Sequence, residues 1–147
     1  MLDPPTLDWV AQPWGLSNIE WAAIPLRIAL GLIFVDAGFG KWSRGIRGTG
    51  DWMGGLGIPC PHLVAPAVAT LELVGGLLLL MGLVVSWIAI PMAVNMLVAA
   101  YISKVKLQMP FQGGERQGYE LNVILVAGLV ALVLLGAGPL SLDRLFD

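Results

Sequence analysis

Arg27, Asp36 and Glu72 are charged residues well inside stretches that are otherwise largely apolar. A charge within a bilayer costs on the order of 2.5–3.5 kcal/mol on insertion scales, so such residues normally face a bundle interior and take a polar partner. At spacings of four, three and four, Arg27, Gly31, Phe34 and Gly38 form one helical stripe, and Ala65, Ala69, Glu72 and Gly76 form another. Each stripe joins one charge to small residues, which let membrane helices approach closely. Counted from the expected helix starts, Arg27 and Glu72 both fall near mid-depth of antiparallel helices. They are therefore expected to face each other within direct or one-water reach, with Asn95 as a further polar partner. Two roles are open to this Arg27, Glu72 and Asn95 centre: an internal structural ion pair, or a polar intramembrane pocket for a ligand or a proton.

A second polar cluster is expected from Asp36, Lys41 and Glu120. Asp36 is half a turn out of phase with Arg27 and lies nearer the Lys41 end, where it reads as an interfacial carboxylate. Glu120 opens an apolar stretch and aligns with Ile124, Ala127 and Ala131. It reads either as an inward-pointing acid or as an acid favoured by a helix N-terminus. Asn95 and Asn122 are amides within apolar helices and suit interhelical hydrogen bonds. His62 suits either axial ligation of a haem or chlorin or a solvated surface position. Cys60 has no second cysteine with which to cycle through a disulfide. With one cysteine and one histidine, no Cys-cluster or paired-histidine metal site is expected, and no catalytic residue is assigned. The sequence has no phosphate loop, dinucleotide fingerprint or nucleophile elbow, so no self-sufficient catalytic apparatus is expected.

The elements that must position these residues are membrane helices. Of 147 residues, 57% are hydrophobic and 12% charged, about half the charge of a soluble domain. Mean hydropathy is +0.82. Four apolar stretches, about residues 19–39, 63–80, 85–102 and 121–135, approach the roughly 20 residues needed to span a hydrocarbon core. Backbone satisfaction in lipid makes them helices. The reading is an all-α integral membrane protein, a bundle of four transmembrane helices forming one domain over residues 1–147. Gly82 is the expected turn of a tight hairpin between the second and third helices. Residues 41–61 read as a Gly-rich loop, mobile or folded back into the headgroup region on Trp42, Trp52 and Met53. The Pro- and Trp-rich residues 1–18 read as an extended surface segment. They hold no Lys, Arg or apolar run, so no cleaved signal peptide is expected. The six tryptophans fit interfacial belts.

Six basic residues, Lys41, Arg44, Arg47, Lys104, Lys106 and Arg116, fall in the first and third loops, against Arg144 alone on the other side. The positive-inside rule then puts those loops in the cytoplasm and both termini outside, in a bacterial inner membrane. The net charge of -2 leaves no basic surface for nucleic acid.

Arg27-x3-Gly31-x2-Phe34, then Gly38-x2-Lys41, resembles the opening of DoxX/DoxD-like membrane proteins. Glu72-x2-Gly75-Gly76 followed by Gly82 resembles their second helix, and Glu120 with Ser141-Leu142-Asp143 resembles their fourth helix and its end. The likeness runs from about Pro25 to Arg144. Relatives place a histidine before the glycine aligned with Gly38; here that position is Ala37, so no proton role is carried over. The resemblance implies a four-helix fold and association with membrane oxidoreductases. DoxD-type members are subunits of thiosulfate:quinone oxidoreductase, and others accompany redox partner proteins. The leading expectation is thus a membrane subunit of a redox complex that anchors other membrane subunits and shapes a pocket for quinone supplied by the lipid bilayer. The alternative is a non-catalytic structural subunit of a respiratory or photosynthetic assembly. A small carrier or channel ranks last, because four helices with few polar residues make a poor aqueous path.

Overall fold

The computed structural model describes residues 16–113 and 118–143. A 3-10 helix, Leu16–Ala22, leads into α1, Ala23–Ser43. It is followed by α2 (Ile46–Gly55), α3 (Pro61–Met81), α4 (Val85–Tyr101), which continues as a π-helical turn over Ile102–Lys106, and α5 (Glu120–Leu135). The described residues hold helices and no strand. Among the described residues, three stretches are long and apolar enough to cross a membrane: Ile19–Ser43, Pro61–Met81 and Val85–Lys106. α5 is equally apolar but has 16 residues. The structure thus has five α-helices among the described residues where the sequence reads as four. The extended segment expected for residues 1–18 lies outside the described residues up to Gly15; the part beyond belongs to the 3-10 helix.

α1 packs chiefly against α3 and α4 against α5, while contacts of α3 with α4 and of α1 with α5 close the ring. The α1–α3 seam is built on glycines. A Cβ on Gly76 would lie 2.8 Å from the Gly31 carbonyl oxygen, and one on Gly38 would lie 2.8 Å from the Ala69 carbonyl oxygen. Backbones this close fix the antiparallel register: Gly31 lies beside Gly76 and Leu80, and Gly38 beside Ala69 and Leu73. Both sequence stripes are buried throughout, Arg27, Gly31, Phe34 and Gly38 on α1 and Ala65, Ala69, Glu72 and Gly76 on α3. Phe34, Leu79, Met92, Leu129 and Leu132 fill the centre.

The hairpin turn forms at Gly82 as expected. Its φ of +70° closes a Schellman motif, with Gly82 N–H donating to Leu79 and Leu83 N–H to Leu78. The segment read as a Gly-rich loop instead contains α2. Glycine disfavours helix by up to about 1 kcal/mol per residue, but here two glycines serve packing. Gly50 and Gly54, one turn apart, lie against His62 and Pro61 at the start of α3, and Met53 is buried beside them. Trp52 stays exposed. Exposed tryptophans mark both ends of the bundle, Trp21 and Trp87 at one and Trp42 and Trp52 at the other.

The glycine seam makes a direct prediction. Gly76→Leu drives a side chain into the α1 backbone and lowers the melting temperature of the detergent-solubilised protein, by an amount equivalent to about 1–3 kcal/mol. Gly48→Ala, where a Cβ meets nothing within 4 Å, leaves it unchanged or raises it.

Candidate functional site

Glu72 is the twelfth of the 21 residues of α3 and therefore sits beside the helix midpoint. Its residue is 3% exposed. Lys41, near the end of α1, reaches down to Glu72 Oε2 in an ion pair, and the Asn95 side-chain amide of α4 donates to Oε1 at 3.3 Å. Two other helices thus contribute one polar group each to a single buried carboxylate. The arrangement follows from local folding. The α1 stripe continues one step past Gly38 to Lys41, whose long side chain spans the remaining turn. On α4, Met92 lies against Gly75, which brings Asn95 level with Glu72. The lysine side chain keeps about a quarter of its surface exposed while that of Glu72 keeps 4%, so access to the carboxylate runs past Lys41.

Arg27 does not join this centre. α1 begins at Ala23 rather than at residue 19, so Arg27 lies in its second turn, and the glycine seam sets that turn beside Gly82 at the far end of α3. Eleven residues of α1 separate Arg27 from Gly38, about 16 Å along the axis, so the expected Arg27–Glu72 pairing is not formed. The guanidinium instead donates to the Ala137 carbonyl at 2.6 Å and to the Leu140 carbonyl. Both belong to the segment after α5, which turns back at Gly136 and Gly138, both at positive φ. That segment clasps the α3–α4 turn. Leu142 N–H donates to Met81, Asp143 N–H to Gly82, and the Asp143 carboxylate accepts from Val84 N–H at 2.6 Å and Val85 N–H at 3.3 Å. Asp143 so serves the orphan donors at the start of α4 and holds Val84 at φ 45°, an unusual conformation for a β-branched residue. Arg27 Nε and Ser141 Oγ are buried there without a hydrogen-bond partner among the described residues.

The second expected cluster is also not assembled. Lys41 is taken by Glu72, Asp36 is exposed on the outer face of α1, and Glu120 accepts from the Gly113 backbone N–H at 3.1 Å. The stripe drawn through Glu120 faces outward, since Ile124 is exposed, while Leu125, Leu129 and Leu132 carry the buried face of α5. Asn122 donates to Ser103 Oγ at 3.5 Å, an interhelical link of the expected kind. His62 pairs with Asp51 at 3.4 Å on the exposed surface, and Cys60 is exposed at the start of α3. Among the described residues no three His, Cys, Asp or Glu come together to hold a metal ion. A shallow apolar groove lined by Trp42, Pro66, Thr70, Val74 and Ile88 runs along the outside of α3, on the exposed face turned away from Glu72.

Two signals in the sequence pointed to what was missed. The 4-3-4 stripe extends by three to Lys41, and an acid follows the last apolar helix at Asp143. Neither alone specifies its partner. The geometry gives distinct expectations for variants. Lys41→Met strands a buried carboxylate and destabilises the detergent-solubilised protein by about 3 kcal/mol; adding Glu72→Leu restores part of that loss in thermal melts. Arg27→Leu and Glu72→Leu combine additively, because the two sites share no partner.

The comparisons with known proteins agree with this architecture. The DoxX family model matches residues 22–104. The chain is 32% identical over 126 residues to the Bacillus subtilis protein named "Putative oxidoreductase CatD", covering 86% of this chain and 87% of that protein. It is 30% identical to the inner membrane protein YqjF of Escherichia coli, covering 82% and 88%, and 31% identical to the inner membrane protein YphA of the same organism, covering 80% and 85%. No solved structure matches the chain. With the family model covering more than half of the chain, and the long apolar helices already in place, this membrane protein belongs to the DoxX family.

Proposed function

We propose that this chain is a single-domain, four-span membrane subunit of a quinone-linked oxidoreductase, and that Lys41, Glu72 and Asn95 shape the site where the quinone headgroup is held. The observation that carries the reading is the carboxylate at the midpoint of α3, served by a lysine and an amide from two other helices. The oxidoreductase in the name of the Bacillus subtilis relative supports the reaction class. A quinone ring presents two carbonyl oxygens that accept hydrogen bonds and an isoprenoid tail that stays in lipid. Lys41 and Asn95 are the donors of the centre, and Glu72 is a group that can hold or release a proton beside them. Electrons come from a partner, since this chain offers no redox group of its own beyond Cys60.

The fourth span is α5. Its 16 residues reach about 24 Å, and the segment 136–143 extends it toward the headgroups. The loops holding α2 and residues 102–119 then face the cytoplasm of a bacterial inner membrane, and both termini face outward, following the excess of Lys and Arg. Cys60 reports on this directly: in intact spheroplasts it resists an impermeant maleimide, whereas a cysteine placed at Leu140 reacts. The reverse pattern overturns the orientation.

The quinone reading is tested by photolabelling the purified chain with an azido-quinone. Label is recovered on peptides of α1, α3 or α4, and Lys41→Met or Asn95→Leu weakens competition by unlabelled quinone at least tenfold. The already satisfied Lys41–Glu72 pair favours a second reading, a structural subunit that binds no carrier. Labelling unaffected by any change at Lys41, Glu72 or Asn95 decides for it.

A further inference from the structure

The outward face of α1 carries Ile28, Leu32, Ile33, Asp36 and Phe39, and all five are exposed. Four are what a lipid-facing helix requires. Asp36 is not. Its depth follows from the glycine seam. Gly38, two residues on, packs against Ala69 and Leu73 at the middle of α3, so Asp36 lies at the level of Glu72. Asp36 is the fourteenth of the 21 residues of α1, about 20 Å from its start and about 10 Å from its end, so in an embedded α1 it sits within the hydrocarbon. Side chains on a helix lean toward its N-terminus, which turns this short carboxylate away from Lys41 and Arg44, and Arg44, two turns on along the same stripe, folds back only as far as the Gly40 carbonyl, to which its Nε donates at 2.9 Å. Two carboxylates therefore share one depth. Glu72 faces inward and is served by Lys41 and Asn95; Asp36 faces outward and has no hydrogen-bond or ion-pair partner among the described residues.

We propose that the outer face of α1 is the docking surface for a transmembrane helix of another protein, one that carries a lysine or arginine at the depth of Asp36. Charge complementarity selects this occupant. A carboxylate facing lipid at mid-depth is costly and calls for a partner. Among its described residues, a second copy of this chain has no suitable cation to offer. Its Arg27 and Lys41 are turned inward, and its exposed Arg44, Arg47, Lys104 and Lys106 all lie at one end of the bundle. A lipid headgroup is excluded by depth. Leu32, Asp36 and Phe39, at spacings of four and three, form a seam with apolar contacts on both sides of the charge. Within the low dielectric of the bilayer such a pair sets rotation and depth of the partner as well as holding it. The inference uses only the embedding of α1 and stands apart from the quinone reading.

The test places a photoreactive amino acid at Leu32, and as a control at Leu134 on α5, in the full chain expressed in its native membrane, and identifies the cross-linked peptides by mass spectrometry. Position 32 yields a discrete adduct with a transmembrane segment of another protein that bears Lys or Arg level with Asp36. Asp36→Leu lowers that yield at least fivefold, Asp36→Glu keeps it, and Asp36→Lys combined with an acidic residue at the partner's basic position restores it. The chain alone, carrying Asp36→Leu, melts in detergent at or above the parent temperature, which separates lost docking from lost folding. Adducts at position 32 with lipid only, with a second copy, or with a helix lacking a basic residue overturn the proposal, as does a yield that Asp36→Leu leaves unchanged.

Discussion

The close approach of α1 and α3 across Gly31, Gly38 and Gly76 is the constraint on which the other features depend. Apolar side chains gain little by leaving lipid for protein, so membrane helices associate through close van der Waals contact, for which small residues are the means. With backbone against backbone the register admits little slip, and it decides which polar groups share a depth. Lys41 and Glu72 meet because Gly38 lies beside Ala69 and Leu73. Arg27 is carried to the other end by the same register, beside Gly82.

Once that register is set, the cost of unpaired polar groups in a low-dielectric medium accounts for the polar contacts. α1 carries a cation near each end of its buried stripe, Arg27 and Lys41. The first takes up carbonyls left free where the chain leaves helix after α5; the second neutralises Glu72. Asp143, drawn to the same end as Arg27, caps the start of α4. The tight hairpin, which leaves α4 without a capping side chain of its own, thus depends on a residue almost sixty positions later.

Periodicity made the buried faces of α1 and α3 legible, because one stripe of small residues and one charge leaves few choices. It also located the hairpin, since Gly82 is the residue that suits a left-handed turn there. Depth was not legible. Counting from apolar boundaries started α1 four residues early, and only the inter-helix contact reveals the offset that separates Arg27 from Glu72. α2 was hidden for a different reason: its glycines look like loop formers, and their use as a flat face against Pro61 and His62 exists only once α3 is in place. The face of α5 was misjudged because nearly every position there is apolar, and a stripe through Glu120 is no more distinctive than one through Leu125, Leu129 and Leu132.

Depth also separates the polar groups the chain satisfies alone from those it does not. At the basic end, Glu120 holds the preceding loop through Gly113, and Asn122 links α5 to the turn after α4. At the opposite end the clasp joins Arg27, Asp143 and the α3–α4 turn. At mid-depth Glu72 has two donors, so a ligand entering there must replace a contact rather than fill an empty one, and Lys41, the more exposed and longer of the two donors, is the group able to swing aside. Asp36, at the same level on the outer surface, has no such partner among the described residues. On the readings proposed above, a carrier enters where the bundle can reopen its own polar contacts, and a protein partner docks where the bundle has left a charge unanswered. Because the two carboxylates lie on opposite faces of the α1–α3 seam, both sites can be occupied at once.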